Sequence, residues 1–131
     1  MNASRLIIAA AVLAVAGAAA HSADWKEESE AKLARMLEGR TAGESVSCIA
    51  MLRPNELEII EGVAVVYDAG DTLYVARPSD PGALRRDDVV IIDRYGSQLC
   101  HSDAMHTVDR GAGFYTGTLF LGKFVPWKKQ G

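Results

Sequence analysis

The chain has 131 residues, 14 basic and 17 acidic side chains and a formal net charge of −3. That length makes one domain with a modest core. The weak acidity and the lack of a polybasic run speak against a nucleic-acid binder and against docking on anionic lipid; "RRDD" at 85–88 neutralises itself and reads as a solvated turn.

"MNASR" supplies one positive charge, Arg5, and is followed by an uncharged apolar run of 15 residues from Leu6 to Ala20. Small residues follow, with Ala18 and Ala20 as an A-x-A pair. This is the order of a secretory signal peptide over residues 1–20, cut after Ala20 or after Ala23. The run falls short of the about 20 apolar residues a bilayer span needs, so an uncleaved anchor is the weaker reading. Cleavage after Ala20 leaves 111 residues, with 13 basic against 17 acidic side chains and a net of −4, and no stable membrane span. The expected location is periplasmic or secreted.

Residues 24–39, "DWKEESEAKLARMLEG", predict a helix. Asp24 and Glu27 have capping-box spacing, Glu28 and Lys32 are four apart, and Leu33, Met36 and Leu37 form a narrow apolar stripe. Gly39 is a natural stop, and "GRTAGES" at 39–45 reads as a linker. The period then changes, and residues 45–127 predict a β domain. "SVSCIAML" is rich in β-formers. Residues 57–78 predict two strands around the turn "DAGD", with Val63, Val65 and Tyr67 on one face, Leu73 and Val75 sharing a face, and Tyr67 opposite Tyr74. Residues 79–88 are a loop, and "VVIID" at 89–93 predicts a strand buried on both faces. After "YGSQLC" and the alternating "MHTVDR" come a glycine-rich turn at 111–117 and a last strand at 118–127, whose pairing Pro126 ends. One helix and six or seven short strands imply a mainly β fold, an antiparallel small barrel or sandwich.

Cys48 and Cys100 are the two cysteines. In an oxidising compartment one disulfide is the expected outcome, since a redox pair takes Cys-x-x-Cys spacing instead. Bonded, Cys100 is neither ligand nor nucleophile. That bears on the crowded stretch "GSQLCHSDAMH", where His101, Asp103 and His106 are the candidate metal ligands. The two histidines are five apart and would face opposite ways on one strand, so a polar turn is the simpler reading and no metal is expected. Ser97, His101 and Asp103 supply the residue types of a hydrolase, without a G-x-S-x-G elbow. Glu56, Glu58 and Glu61 read as solvated strand-edge carboxylates. Phe114 and Tyr115, in the glycine-rich turn, are the candidate binding aromatics.

The motifs "SCIAMLR", "IIEGVAVVYDAGDTLYVARP", "GSQLC" and "LGKFVP" occur here in that order. As a set they resemble a family of small exported bacterial proteins of unknown function, over about residues 46–126. In that family C-I-S-L-R, a D-G-x-x-I-V-Y hairpin, L-C and L-G-x-F-x-P recur. Ala50, Met51 and Ala76 depart from the pattern. Many relatives carry two further cysteines, at the places of Asp80 and Leu119, so the resemblance implies a second bridge that this chain lacks. It implies export and a small β fold, and no reaction, cofactor or partner. The expectation is a non-catalytic envelope module that uses no cofactor and binds an envelope partner or a small ligand through loops 78–88 and 111–117. The alternative is a metal-binding or hydrolytic enzyme built on residues 100–106.

Overall fold

One helix and ten short strands make up the computed structural model, which describes residues 19–94 and 96–130. The signal peptide expected over residues 1–20 lies, but for its last two residues, outside them. Among the described residues no helix is long and apolar enough to cross a membrane.

Helix α1 spans Ala19–Met36. The chain is already helical before Asp24, so Asp24 holds no capping position and the expected start at 24 is corrected. The alanine-rich run ahead of it favours helix, alanine being the strongest helix former. Leu33 is buried, Met36 and Leu37 are half-buried, and Gly39 ends the element with φ +71°. Lys32 reaches across to Glu58 and not back to Glu28. Glu30 takes Arg77 at 3.0 Å. Such exposed pairs contribute about 0–1 kcal/mol each and serve mainly to place the helix.

The largest sheet holds β1 (Arg40–Ala42), β3 (Leu57–Ile60), β4 (Ala64–Asp68), β5 (Thr72–Ala76) and β10 (Val125–Lys129), in the order β1-β10-β5-β4-β3, with every neighbour antiparallel. Strand β1 falls in the segment expected as a linker. It pairs its backbone with β10 but buries almost nothing, so it leaves no hydrophobic pattern to read. The "DAGD" turn joins β4 to β5 as expected, with Gly70 at φ +91° and the Asp68 carboxylate accepting from Gly70 N at 2.8 Å. Tyr67 and Tyr74 stand opposite each other. The run before the turn is two strands rather than one, because residues 61–63 reverse the chain around Gly62, at φ +67°. That reversal separates Val63 from the face of Val65 and Tyr67.

Two smaller sheets complete the fold. One pairs β2 (Cys48–Ala50) with β7 (Gln98–Cys100); the other has the order β6-β8-β9, from Asp88–Asp93, Ala104–Asp109 and Tyr115–Thr118. The sheets do not close on themselves, so the architecture is the sandwich rather than the barrel. A first core lies between the large sheet and the small ones, and includes Ile49, Met51, Val65, Tyr67, Leu99, Met105 and Phe124. A second lies under the helix, where Leu33 meets Ile60, Val66, Leu73 and Val75. Strand β4 is therefore buried on both faces from Ala64 to Tyr67. The expectation that 89–93 would be doubly buried is corrected: β6 belongs to the outer layer and leaves Ile91 38% exposed.

The end of the chain also departs from expectation. Residues 118–124 run mostly as irregular chain, touching the rest through isolated bridges at Leu121 and Phe124. Strand β10 begins at Val125, and Pro126 lies inside it, opposite Tyr74. Its carbonyl accepts from Gly43 N at 2.7 Å, just past the end of β1, so its missing N–H falls where that ladder stops.

A β-carbon added at Gly62 would lie 2.6 Å from the ring of Trp25, which rests on this glycine. At Gly70 the same atom meets open space. Gly70→Ala is expected to cost about 1–2 kcal/mol, for the left-handed backbone alone. Gly62→Ala should cost at least about 1 kcal/mol more, for displacing the indole. Chemical denaturation of both variants, with Trp25→Ala as the third corner of a cycle, checks this: the excess at Gly62 should vanish once Trp25 is gone.

Candidate functional site

The two cysteines are covalently joined. Cys48 and Cys100 are direct partners in the β2–β7 ladder, with Cα atoms 3.9 Å apart. The flanking pairs carry the backbone bonds, His101 N to Ser47 O at 2.9 Å and Met51 N to Ser97 O at 2.7 Å. The cysteines thus occupy a non-hydrogen-bonded position, where antiparallel strands approach most closely. The bond removes the thiolate from residues 100–106 and anchors a sheet only three residues long on each strand.

His101, Asp103 and His106 do line one shallow recess, of about 410 Å³, together with Phe120. Two of the three are already engaged. The Asp103 carboxylate accepts from Cys100 N at 2.8 Å, and Asp103 N donates to Cys100 O at 3.0 Å, which closes the turn after β7. His101 Nδ1 lies 3.3 Å from the Leu121 carbonyl. His106 sits in the middle of β8, with its ring centroid 6.0 Å from that of Tyr115. Among the described residues no three His, Cys, Asp or Glu side chains come together at metal-binding distance. Ser97 pairs its carbonyl with Met51 and stands on the chain before β7, while Asp103 is held by the turn after it.

The outer face of the β6-β8-β9 sheet is open and carries apolar side chains. The register sets Ile91, His106 and Thr118 side by side, and Val89, Val108 and Tyr115 beside them. Phe114 is 59% exposed, Tyr115 61% and Phe120 67%. Tyr115 was expected in a turn; it is the first residue of β9, and the turn is the tighter one before it, closed by the Asp109 carboxylate accepting from Gly111 N at 2.9 Å and Ala112 N at 2.6 Å. Strand β9 is an edge, and its residues form no backbone bond outside the β8 ladder among the described residues. Loop 78–88 is more firmly tied: Leu84 is in the core, and the Asp80 carboxylate accepts from Gly82 N at 3.0 Å within a 3-10 turn.

A register shift at Thr107 and Val108 leaves Thr116 as an extra residue in β9 and turns it inward. There Thr116 Oγ1 donates to Asp88 Oδ2 at 2.9 Å and lies 2.8 Å from Thr107 Oγ1. Asp88 is 2% exposed, and its Oδ1 has no hydrogen-bond partner. A buried acceptor without a donor costs about 1–3 kcal/mol. The solvated turn expected for "RRDD" is corrected at its last residue. Only the pairing of β6 with two further strands closes over Asp88, so sequence offered no signal for it, nor for the inward Thr116. Phe120 was legible only as part of a strand that did not form.

Neither a family model nor a curated protein nor a solved structure matches this chain.

Closing a loop of 52 residues is worth about 4 kcal/mol in the chain-entropy picture. Cys48→Ser, Cys100→Ser and the double variant should therefore lose similar amounts of stability, each about 4 kcal/mol. Thermal melts in which one single variant falls far below the other would separate the two sulfurs' roles.

Proposed function

We propose that the chain is an exported, non-catalytic binding module of the bacterial envelope. It engages an extended, apolar segment of a partner protein along the edge strand β9. The observation that carries this reading is an uncharged edge strand, "YTGT", paired with β8 on one side only among the described residues and bracketed by the exposed rings of Phe114 and Phe120. Natural edges are commonly blunted by lysine, proline or inward charge. Strand β6, at the opposite edge of the same sheet, begins and ends with aspartate, whereas β9 has no such protection. An added strand gains main-chain hydrogen bonds from the edge and affinity from its alternate side chains on the rings. Tyr115 supplies an amphipathic contact whose hydroxyl is already shared with Thr118, at 2.5 Å.

The Cys48–Cys100 bond supports export, because such bonds persist in oxidising compartments. It joins the signal peptide of residues 1–20 as the second argument for a periplasmic or secreted protein. The kinship with small exported proteins gains support from the antiparallel contact of Pro78 with Leu121 and the bond from Ser79 N to Phe120 O at 2.9 Å. Continued one step, that register sets position 80 against position 119, the two places where relatives carry cysteine.

Two experiments test this reading. A photo-crosslinking residue at Tyr115, in cells carrying the full chain, should give one discrete adduct that is lost on Thr118→Lys and absent when the probe sits at Lys129. No adduct, or an adduct of twice the chain's mass, would overturn the partner segment. The double variant Asp80→Cys, Leu119→Cys should oxidise to two bridges, read as four thiols shielded from alkylation before reduction. Two free thiols would remove the kinship at those positions.

A further inference from the structure

We infer that His106 makes the β9 edge pH-sensitive: protonation of its ring releases the segment proposed to pair there, an inference that rests on that reading of β9. Met105 and Thr107, its neighbours in β8, are buried, so alternation turns His106 to the outer face of the sheet. Its cross-strand partners are Ile91 in β6 and Thr118 in β9. The imidazole centroid lies 6.0 Å from that of Tyr115. The same side chain lines one open recess with Thr118 and Phe120. His106 thus borders both the Tyr115 and the Phe120 end of β9, and it is half-buried before anything binds.

A strand added to β9 sets one side chain opposite Thr118 and on the same face, because directly paired residues share a face. That side chain extends the row Ile91–His106–Thr118 and covers the recess beside the imidazole. A neutral ring tolerates apolar cover. An imidazolium loses its water there, and apolar burial disfavours the charged form. The charged and titratable groups around it do not replace that water. On β6, Asp93 is two positions from Ile91 on this face, exposed and screened by solvent. On β9, the Tyr115 hydroxyl is shared with Thr118. In the turn after β7, the Asp103 carboxylate is held by Cys100 N, and His101 lies against the Leu121 carbonyl. Ala104 and Val108, next to His106 on its own strand and face, carry no charge. His106 forms no ion pair among the described residues. The neutral form is therefore the one that binds. Histidine charges between pH 8 and 5, so binding is full above that range and is lost as pH falls through it. One excluded proton weakens affinity by up to about tenfold per pH unit.

The test adds purified protein, with a photo-crosslinking residue at position 115, in graded amounts to cell envelopes from a strain deleted for the chain. The quantity read is the protein concentration that gives half of the maximal adduct. It should rise by about threefold or more from pH 7.5 to pH 5.5. His106→Gln and His106→Asn, whose side chains gain no charge, should each give the same value at both pH values. His101→Gln, in the same recess, should keep the rise. The inference is overturned if the parent shows no rise, if both His106 variants keep it, or if His101→Gln abolishes it. An adduct that forms equally at both pH values leaves the pairing of β9 standing and removes only its pH dependence. No adduct at either pH overturns the pairing itself, and the inference with it.

Discussion

The cross-strand bond between Cys48 and Cys100 is the constraint on which the small layer of this molecule depends. Strands β2 and β7 are three residues long each, and a pair so short is marginal in water on hydrogen bonds alone. Yet their middle residues, Ile49 and Leu99, are among the most buried in the protein. The bond holds the two strands in the one register that sends both side chains into the core. It also removes the only atom in residues 100–106 with strong nucleophilic character, and leaves Asp103 to close the turn behind it.

Around that anchor the packing is set by which faces the helix and the small sheets can cover. The helix covers one face of the large sheet and the small sheets cover the other, so β4 and β5 bury residues on both sides. Among the described residues the β6-β8-β9 sheet has no third layer outside it, and its outer face is open. Ile91 and Tyr115 on that face are exposed by position rather than by local sequence, as are Phe114 and Phe120 at the two ends of β9. No further element covers them among the described residues.

One inserted residue in β9 links this open face to the interior. Strict alternation would point Tyr115 and Gly117 one way and Thr116 and Thr118 the other. The irregularity opposite Thr107 and Val108 allows Tyr115 and Thr118 to stay in solvent while Thr116 reaches the buried Asp88. A polar group held this way is costly unless fully satisfied. The half-satisfied carboxyl of Asp88 is therefore a feature the fold retains at some expense in stability.

Much of the fold was legible in local pattern: the helix with its Leu33 stripe, the "DAGD" reversal, the β-rich body and the pairing of two lone cysteines. These follow from period, turn chemistry and the arithmetic of two thiols, all properties of neighbouring residues or of composition. What local pattern hid were elements defined by a distant partner. Strand β1 exists because β10 is beside it, Pro126 is tolerated because the β1 ladder ends there, and the reversal at Gly62 lies against the ring of the distant Trp25. The candidate sites divide in the same way. Phe114 and Tyr115 were visible as aromatics in polar, glycine-rich surroundings, whereas Asp88 looked like the tail of a solvated charge run. The sequence alone determined that this is a small, mainly β protein with one possible internal bridge, because composition and period suffice for that. Only the tertiary structure decided which faces are covered and which carboxyl is buried, because burial is a property of what packs against a residue and not of the residue itself.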